Sequence, residues 1–202
     1  NGEIFLWDAA TGEEIRRFEG HTDNINDLAF SPDGQRLLSG APDIGLILWD
    51  VATGEQIRQI VTVVVSAAAF SPDGTRVLSG TGATGSGTII LWDAETGAEI
   101  HRYIGHTARV SSLDFTPDGR MFLSGAEDGS LRLWYTDSAA ERQRIRQQSG
   151  VEGVAFSSDG QRALLGLRDG AMILTDLTTG EEIRRFEGHD DFVRGVAFTP
   201  DG

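Results

Sequence analysis

Eleven residues, Thr-Gly-Glu-Glu-Ile-Arg-Arg-Phe-Glu-Gly-His, occur twice without a change, at 11–21 and 179–189. The copies stand 168 residues apart, four times 42. A fixed period of that size marks a chain built from stacked supersecondary units, and it constrains the fold more than any local propensity does. Two further series keep the phase. A Phe followed by a Ser/Thr-rich Asp-Gly turn starts at Phe30, Phe70, Phe115, Phe156 and Phe198, at intervals of 40, 45, 41 and 42. Each unit closes on Leu-Trp-Asp (around Trp7, Trp49 and Trp92), on Leu-Trp-Tyr at Leu133, or on Leu-Thr-Asp at Leu174. Gly-His pairs begin at Gly20, Gly105 and Gly188.

One unit reads as four strands: a, Asn24–Phe30; b, Gln35–Gly40; c, Gly45–Asp50; d, Glu55–Ile60. Strands a, b and c are apolar on both faces, so both faces must be covered. Strand d alternates, as in Glu14-Ile15-Arg16-Arg17-Phe18, and is expected to be a wet outer edge. No window keeps a helical apolar stripe between start and stop signals. Turn pairs and 26 glycines mark the class as all-β.

The unit of about 42 residues, with Gly-His near its start and Trp-Asp at its end, resembles the WD-repeat (WD40) β-propeller family over essentially the whole chain. The resemblance implies one partial propeller spanning 1–202. It would hold four complete four-stranded antiparallel blades, at approximately 24–61, 64–104, 109–147 and 150–187, with half blades at 1–18 and 192–202. Propellers of that family commonly have seven blades and close by pairing their chain ends. The expectation is therefore a fragment of a larger, bacterial-type repeat protein forming an open arc. Unmatched apolar faces at its two ends would favour self-association. The alternative is an imperfectly closed five-bladed ring with a gap where one b strand is missing.

Two units carry a His, Ser, Asp and Trp set: His21, Ser39, Asp43 and Trp49, then His106, Ser124, Asp128 and Trp134. In the resembled family these positions form a buried hydrogen-bonded chain in which Trp donates, Ser bridges and the carboxylate holds His. A hydrolase triad would need a serine on a strained turn, an oxyanion hole and one privileged copy. Ser39 and Ser124 instead lie within strands, in phase with the repeat. The other units have lost members. Val61 takes the His position where Ser79 and Trp92 remain, and Leu165 and Thr175 replace Ser and Trp where no His precedes Val151.

Several chemistries are disfavoured. A net charge of −14 gives no drive toward phosphate backbones, and a basic peptide or protein face is the more natural partner. All 17 basic residues are arginine. Without cysteine there are no disulfides or thiolate metal sites, and the compartment stays open. No apolar run has the length of a membrane span. Gly80–Gly85 matches G-x-G-x-x-G, but the helix that dinucleotide binding needs is replaced by a strand at Thr88–Asp93, so no cofactor is expected. The basic run Arg142–Arg146 reads as a solvated edge. The four histidines, His21, His101, His106 and His189, form no metal-ligand cluster.

Function should lie where equivalent positions differ on a constant framework. The fifth residue before each strand-a Phe is apolar and belongs to the core: Ile25, Val65, Val110, Val151 and Val193. Its neighbours vary, and they give the candidate partner-binding residues Asn24, Asn26, Val64, Ser66, Arg109, Ser111, Glu152, Phe192 and Arg194. In the resembled family the d–a and b–c loops share one end of the ring and often bind partners. A mixed polar surface with Arg and an aromatic suits protein recognition. The opposite end collects Asp-Gly and Thr-Gly-Glu turns and should be acidic. The expected function is a non-catalytic protein–protein interaction scaffold or sensor module. A propeller hydrolase or lyase would need a unique carboxylate or His cluster, and a lectin-like propeller would repeat an aromatic pocket in every blade.

Overall fold

The structure, a computed structural model, describes residues 2–61, 64–82 and 86–199, and all its regular elements are strands. The first sheet has two strands, β1 (Ile4–Trp7) and β2 (Glu14–Phe18). Blade 2 follows as β3 (Asp27–Phe30), β4 (Arg36–Ala41), β5 (Gly45–Asp50) and β6 (Gln56–Val61). Blade 3 comprises β7 (Val65–Phe70), β8 (Arg76–Thr81), β9 (Gly87–Asp93) and β10 (Glu99–His106). Blade 4 comprises β11 (Val110–Phe115), β12 (Met121–Ala126), β13 (Ser130–Tyr135) and β14 (Glu141–Arg146). Blade 5 comprises β15 (Val151–Phe156), β16 (Arg162–Leu167), β17 (Met172–Asp176) and β18 (Glu182–Phe186). Blades 2 to 5 are four-stranded antiparallel meanders in which each strand pairs with its sequence neighbour.

The first strands line up side by side, β3 against β7, β7 against β11 and β11 against β15. Each blade therefore covers the next, and the core lies between blades. Ile4 and Phe18 meet Leu37, Ile47 and Trp49, and Leu46, Leu48 and Ile60 meet Val65, Val77 and Trp92. Leu78, Leu91 and Tyr103 meet Val110, Phe122 and Trp134, while Leu123, Leu131 and Leu133 meet Val151, Ala163 and Ile173. Burying one such Trp contributes about 2–3 kcal/mol. Three outer strands, β2, β6 and β10, bury one side chain each (Phe18, Ile60 and Tyr103) against the following blade, whereas β14 and β18 bury none.

Two glycine positions follow from this stacking. A Cβ on Gly40, Gly80 or Gly125 would lie 2.5, 2.7 or 2.6 Å from the Val65, Val110 or Val151 side chain of the next blade. The glycine after the strand-b serine is thus the socket for the apolar residue that opens the following blade. A Cβ on Gly20 would stand 2.8 Å from the Trp49 ring, which accounts for the glycine of Gly-His.

The array is an open arc. Strand β3, the first of blade 2, is shorter than expected, and Leu28 and Phe30 on it are exposed beside a sheet of two strands, β1 and β2. At the other end, Val193 N–H donates to the Leu167 carbonyl at 3.0 Å, yet Phe192–Thr199 forms no strand, having no second strand to pair with. Residues 200–202 of that expected half blade lie outside the described residues.

Candidate functional site

The His, Ser, Asp and Trp sets are assembled across strands. In blade 2 the Trp49 indole on β5 donates to Ser39 Oγ on β4 at 2.8 Å, and Ser39 meets His21 Nε2 at 2.9 Å. His21 Nδ1 stands 2.8 Å from Asp43, which also accepts from the backbone N–H groups of Thr22 and Ile44 at 2.5 and 2.8 Å. Burial works to raise the Asp43 pKa, but the Thr22, His21 and Ile44 hydrogen bonds outweigh it and hold the carboxyl well below its usual range. In blade 4, Trp134 donates to Ser124 at 2.8 Å, Ser124 meets His106 Nε2 at 2.7 Å, and His106 Nδ1 is 3.2 Å from Asp128. Ser130 adds a hydroxyl donated to Asp128 at 2.6 Å. Burial again opposes ionisation of Asp128, and the Ser130 and Thr107 hydrogen bonds lower its pKa to about 2. Burial lowers the His106 pKa to about 4, so the imidazole is neutral at pH 7. With its serine oxygen engaged by both Trp and His, this arrangement ties the second and third strands of a blade to the segment that leads in from the blade before it.

The Asp that closes the third strand has separate work. Asp8, Asp50, Asp93 and Asp176 accept the turn N–H groups that follow, for example Thr11 at 2.7 Å and Thr53 at 2.7 Å. Blade 4 has Tyr135 at that position. Its turn also puts Ala139 at φ 51°, where the other turns carry Gly12, Gly54, Gly97 and Gly180. In blade 3, Trp92 still donates to Ser79 at 2.9 Å, and the side chain of Val61 lies outside the described residues. In blade 5 the Thr175 hydroxyl is buried and makes no hydrogen bond among the described residues.

The other candidate residues gather at the end of the arc where the d–a and b–c loops lie. A cavity of about 400 Å3 there is lined by Asn26, Ser66, Arg109, Ser111, Glu152, Phe192 and Arg194. Asn24 and Val64 are exposed and do not line it. Three of the lining residues serve the framework. Asn26 donates to the Val65 carbonyl at 2.7 Å, Ser66 to that of Val110 at 2.6 Å, and Ser111 to that of Val151. Each small polar residue thus staples its blade to the next one's opening strand.

The series changes character at Glu152, which is buried and pairs with Arg168 at 2.7 Å. Arg168 also meets Glu127 at 2.7 Å, and Arg109 lies 3.6 Å from the same Glu127 oxygen. The guanidinium carbons of Arg168 and Arg194 stand 5.0 and 5.7 Å from the Phe192 ring centroid. Asp27 also lines the cavity, accepting from Ala68 N–H at 2.8 Å, and burial raises its pKa. Three arginines face three carboxylates, so the cavity is electrically balanced although the chain carries −14.

Sequence comparison of the d–a side alone misses Glu127 and Arg168. The signal for them is the residue directly after each strand b, which reads Pro42, Gly82, Glu127 and Arg168 in successive units. Of the glycine-rich run, residues 83–85 lie outside the described residues, and the next element is strand β9. Among the described residues no group of three or more His, Cys, Asp or Glu could hold a metal.

The family described as WD domain, G-beta repeat matches residues 12–50, 58–93, 97–135 and 180–202, together more than half of the chain. The unmatched stretch between 135 and 180 holds most of blade 5, the unit without the His, Ser and Trp set. Among curated proteins, "Guanine nucleotide-binding protein subunit beta" of Oryza sativa subsp. japonica is 29% identical over 210 residues, covering 95% of this chain and 54% of its own. The protein of the same name from Arabidopsis thaliana is 28% identical over 225 residues, covering 100% of this chain and 59% of its own. "WD repeat-containing protein SL1-17" of Schistosoma mansoni is 33% identical over 115 residues, 56% of this chain and 38% of its own. The chain thus spans about half the length of the rice and Arabidopsis relatives. With in-phase four-stranded blades, two assembled His, Ser, Asp and Trp sets and this family match, the chain belongs to the WD-repeat (WD40) family.

Proposed function

We propose that the chain is a non-catalytic interaction scaffold that holds a protein or peptide at the end of the blade array where the d–a and b–c loops surround the cavity. The observation that carries this is the cluster Arg109, Glu127, Glu152, Arg168, Phe192 and Arg194, unlike anything the other units repeat, on a framework that is otherwise constant. Aromatic and Arg side chains around a half-open cavity suit a protein partner. The relatives from rice and Arabidopsis are named as subunits, which fits a role within an assembly. The lining is charge-balanced, so a preference for basic partners would come from the acidic turns at the opposite end.

The test replaces Arg109 and Phe192 together by alanine and uses native and variant chains as bait, with captured proteins identified and quantified by mass spectrometry. Specific partners should fall about tenfold or more, with thermal stability unchanged. Capture that survives the double substitution would show that this face is the wrong one.

A further inference from the structure

Strand β14 departs from the other outer strands. They carry isoleucine at one position, Ile15, Ile57, Ile100 and Ile183, where β14 has Arg142. Its sequence, Glu-Arg-Gln-Arg-Ile-Arg, leaves Arg142, Arg144 and Arg146 exposed on alternate residues. As the last strand of its sheet, β14 also offers this run in extended form at an open edge. Three residues beyond Arg146, in the loop that leads to β15, stands Ser149. It is partly exposed, and its hydroxyl has no hydrogen-bond partner among the described residues.

Guanidinium groups five and three residues ahead of a serine, here Arg144 and Arg146, form a charge pattern that protein kinases with acidic substrate grooves read. Ser39, Ser79 and Ser112 also have an arginine three residues ahead, but none has the second one. Ser39 and Ser79 are buried and accept from Trp49 and Trp92, and Ser112 accepts from the Val154 N–H at 3.1 Å. The loop itself is suited to an anion. The seventh residue before each strand-a Phe is Asp23, Val63, Ala108, Ser149 and Asp191 in turn. Asp23 and Asp191 each accept the N–H of the following residue at 2.7 Å. Beside Ser149 a cavity of about 360 Å3 is lined by Arg146 and Arg185, with Asp169 and Glu182 across from them. Arg185 is held there only by exposed carboxylates, Asp169 at 3.3 Å and Glu187 at 3.5 Å, and so is able to turn to a stronger anion.

We propose that Ser149 is a phosphorylation site for an arginine-directed protein kinase, and that Arg146 and Arg185 hold the product phosphate in the cavity. Ser149 Oγ attacks the γ-phosphorus of the nucleoside triphosphate bound by the kinase. The Oγ–P bond forms and the bond from that phosphorus to the β–γ bridging oxygen breaks. The nucleoside diphosphate leaves with the electron pair, and the hydroxyl proton passes to a carboxylate of the kinase. The phosphate brings a charge of about −1.5 to −2 and three acceptor oxygens, enough to draw both guanidiniums from the carboxylates around them. The site lies outside the partner-holding cavity and does not depend on that reading. It adjoins it, because the Gly150 carbonyl accepts the Arg168 N–H at 2.9 Å.

The test incubates the folded 202-residue chain with magnesium, ATP and a purified arginine-directed kinase that phosphorylates the free peptide of residues 141–150. Mass spectrometry then locates the phosphate. A single phosphate on Ser149 is expected, and Ser149→Ala should abolish it. Arg144→Gln and Arg146→Gln should each slow the reaction about tenfold or more, with circular dichroism unchanged. In phosphorus NMR the phosphate should titrate with a pKa of about 5 to 5.5, below the usual value of about 6. Arg185→Gln should return it to the usual value without slowing the kinase. A folded chain left unmodified while the free peptide reacts would overturn the site. So would phosphate on another serine or threonine, or a rate indifferent to both arginines. Titration of the native chain's phosphate at the usual value would overturn the part assigned to Arg146 and Arg185 alone.

Discussion

Asp128→Ala should destabilise the protein by about 2–4 kcal/mol at pH 7, although the residue lies on a turn far along the chain from the His106 it holds. The same set of hydrogen bonds gives the size in two ways, which are not added. The Asp128 pKa is lowered from 3.8 to about 2, and a shift of that size corresponds to about 2 kcal/mol of stability. That part is fully present above the unfolded pKa and is lost as pH falls through the folded one. Viewed from the donors, removing the carboxylate leaves the buried Ser130 N–H and hydroxyl without their acceptor, while the exposed Thr107 N–H can turn to water. A buried donor left unmade costs about 1–3 kcal/mol. Ser130 Oγ stands 3.0 Å from His106 Nδ1, so these two can satisfy each other and keep the total below the sum. Equilibrium guanidinium denaturation followed by tryptophan fluorescence measures the loss, and heating should show a fall in Tm of about 5–15 °C. Asp128→Asn, which retains one acceptor, should cost less than Asp128→Ala. A loss below about 1 kcal/mol in the alanine variant, or a loss that does not shrink as pH falls toward 2, would refute the assigned role.

Two further outcomes follow from the same structure. Burial raises the Asp114 pKa from 3.8 to about 6, against the Phe156 N–H that it accepts at 2.8 Å, so its ionisation removes stability as pH rises through 6. His106, lowered from 6.5 to about 4, has the opposite sign and removes stability as pH falls from 6.5 to 4. Asp114→Asn should therefore gain about 1–3 kcal/mol at pH 7 and nothing at pH 3.5, and its stability should decline more steeply than the native protein's between pH 6.5 and 4. Denaturation series at several pH values test this, and an equal gain at all of them would dismiss the burial argument. Ala139→Gly should add about 0.5–1 kcal/mol by relieving a left-handed alanine in a turn that has also lost its Asp cap. An unchanged or lowered denaturation midpoint would count against strain at that turn.

Residues that recur at fixed offsets were readable from the sequence, and the family resemblance implied how they join. Ser124 and Trp134 stand at fixed offsets in a repeat, on the paired strands β12 and β13, and His106 and Asp128 lie at equally fixed offsets just before and between those strands, where their side chains reach Ser124 and each other. The strands themselves follow from alternation and turn residues, which are local. The tertiary structure decided what happens between units. Asn26, Ser66 and Ser111 look variable and free along the sequence, yet each is engaged by a carbonyl of the next blade. Glu127 and Arg168 come from loops of different blades and meet only because neighbouring sheets converge at one end of the arc. Leu28 and Phe30 read as core and lie exposed, because the two strands of the first sheet, β1 and β2, cover Leu37, Ile47 and Trp49 instead. The physical reason is common to all three cases: an offset within a unit specifies hydrogen-bonded neighbours, while contacts across units depend on how successive sheets rotate against one another and on which sheets are there to cover them.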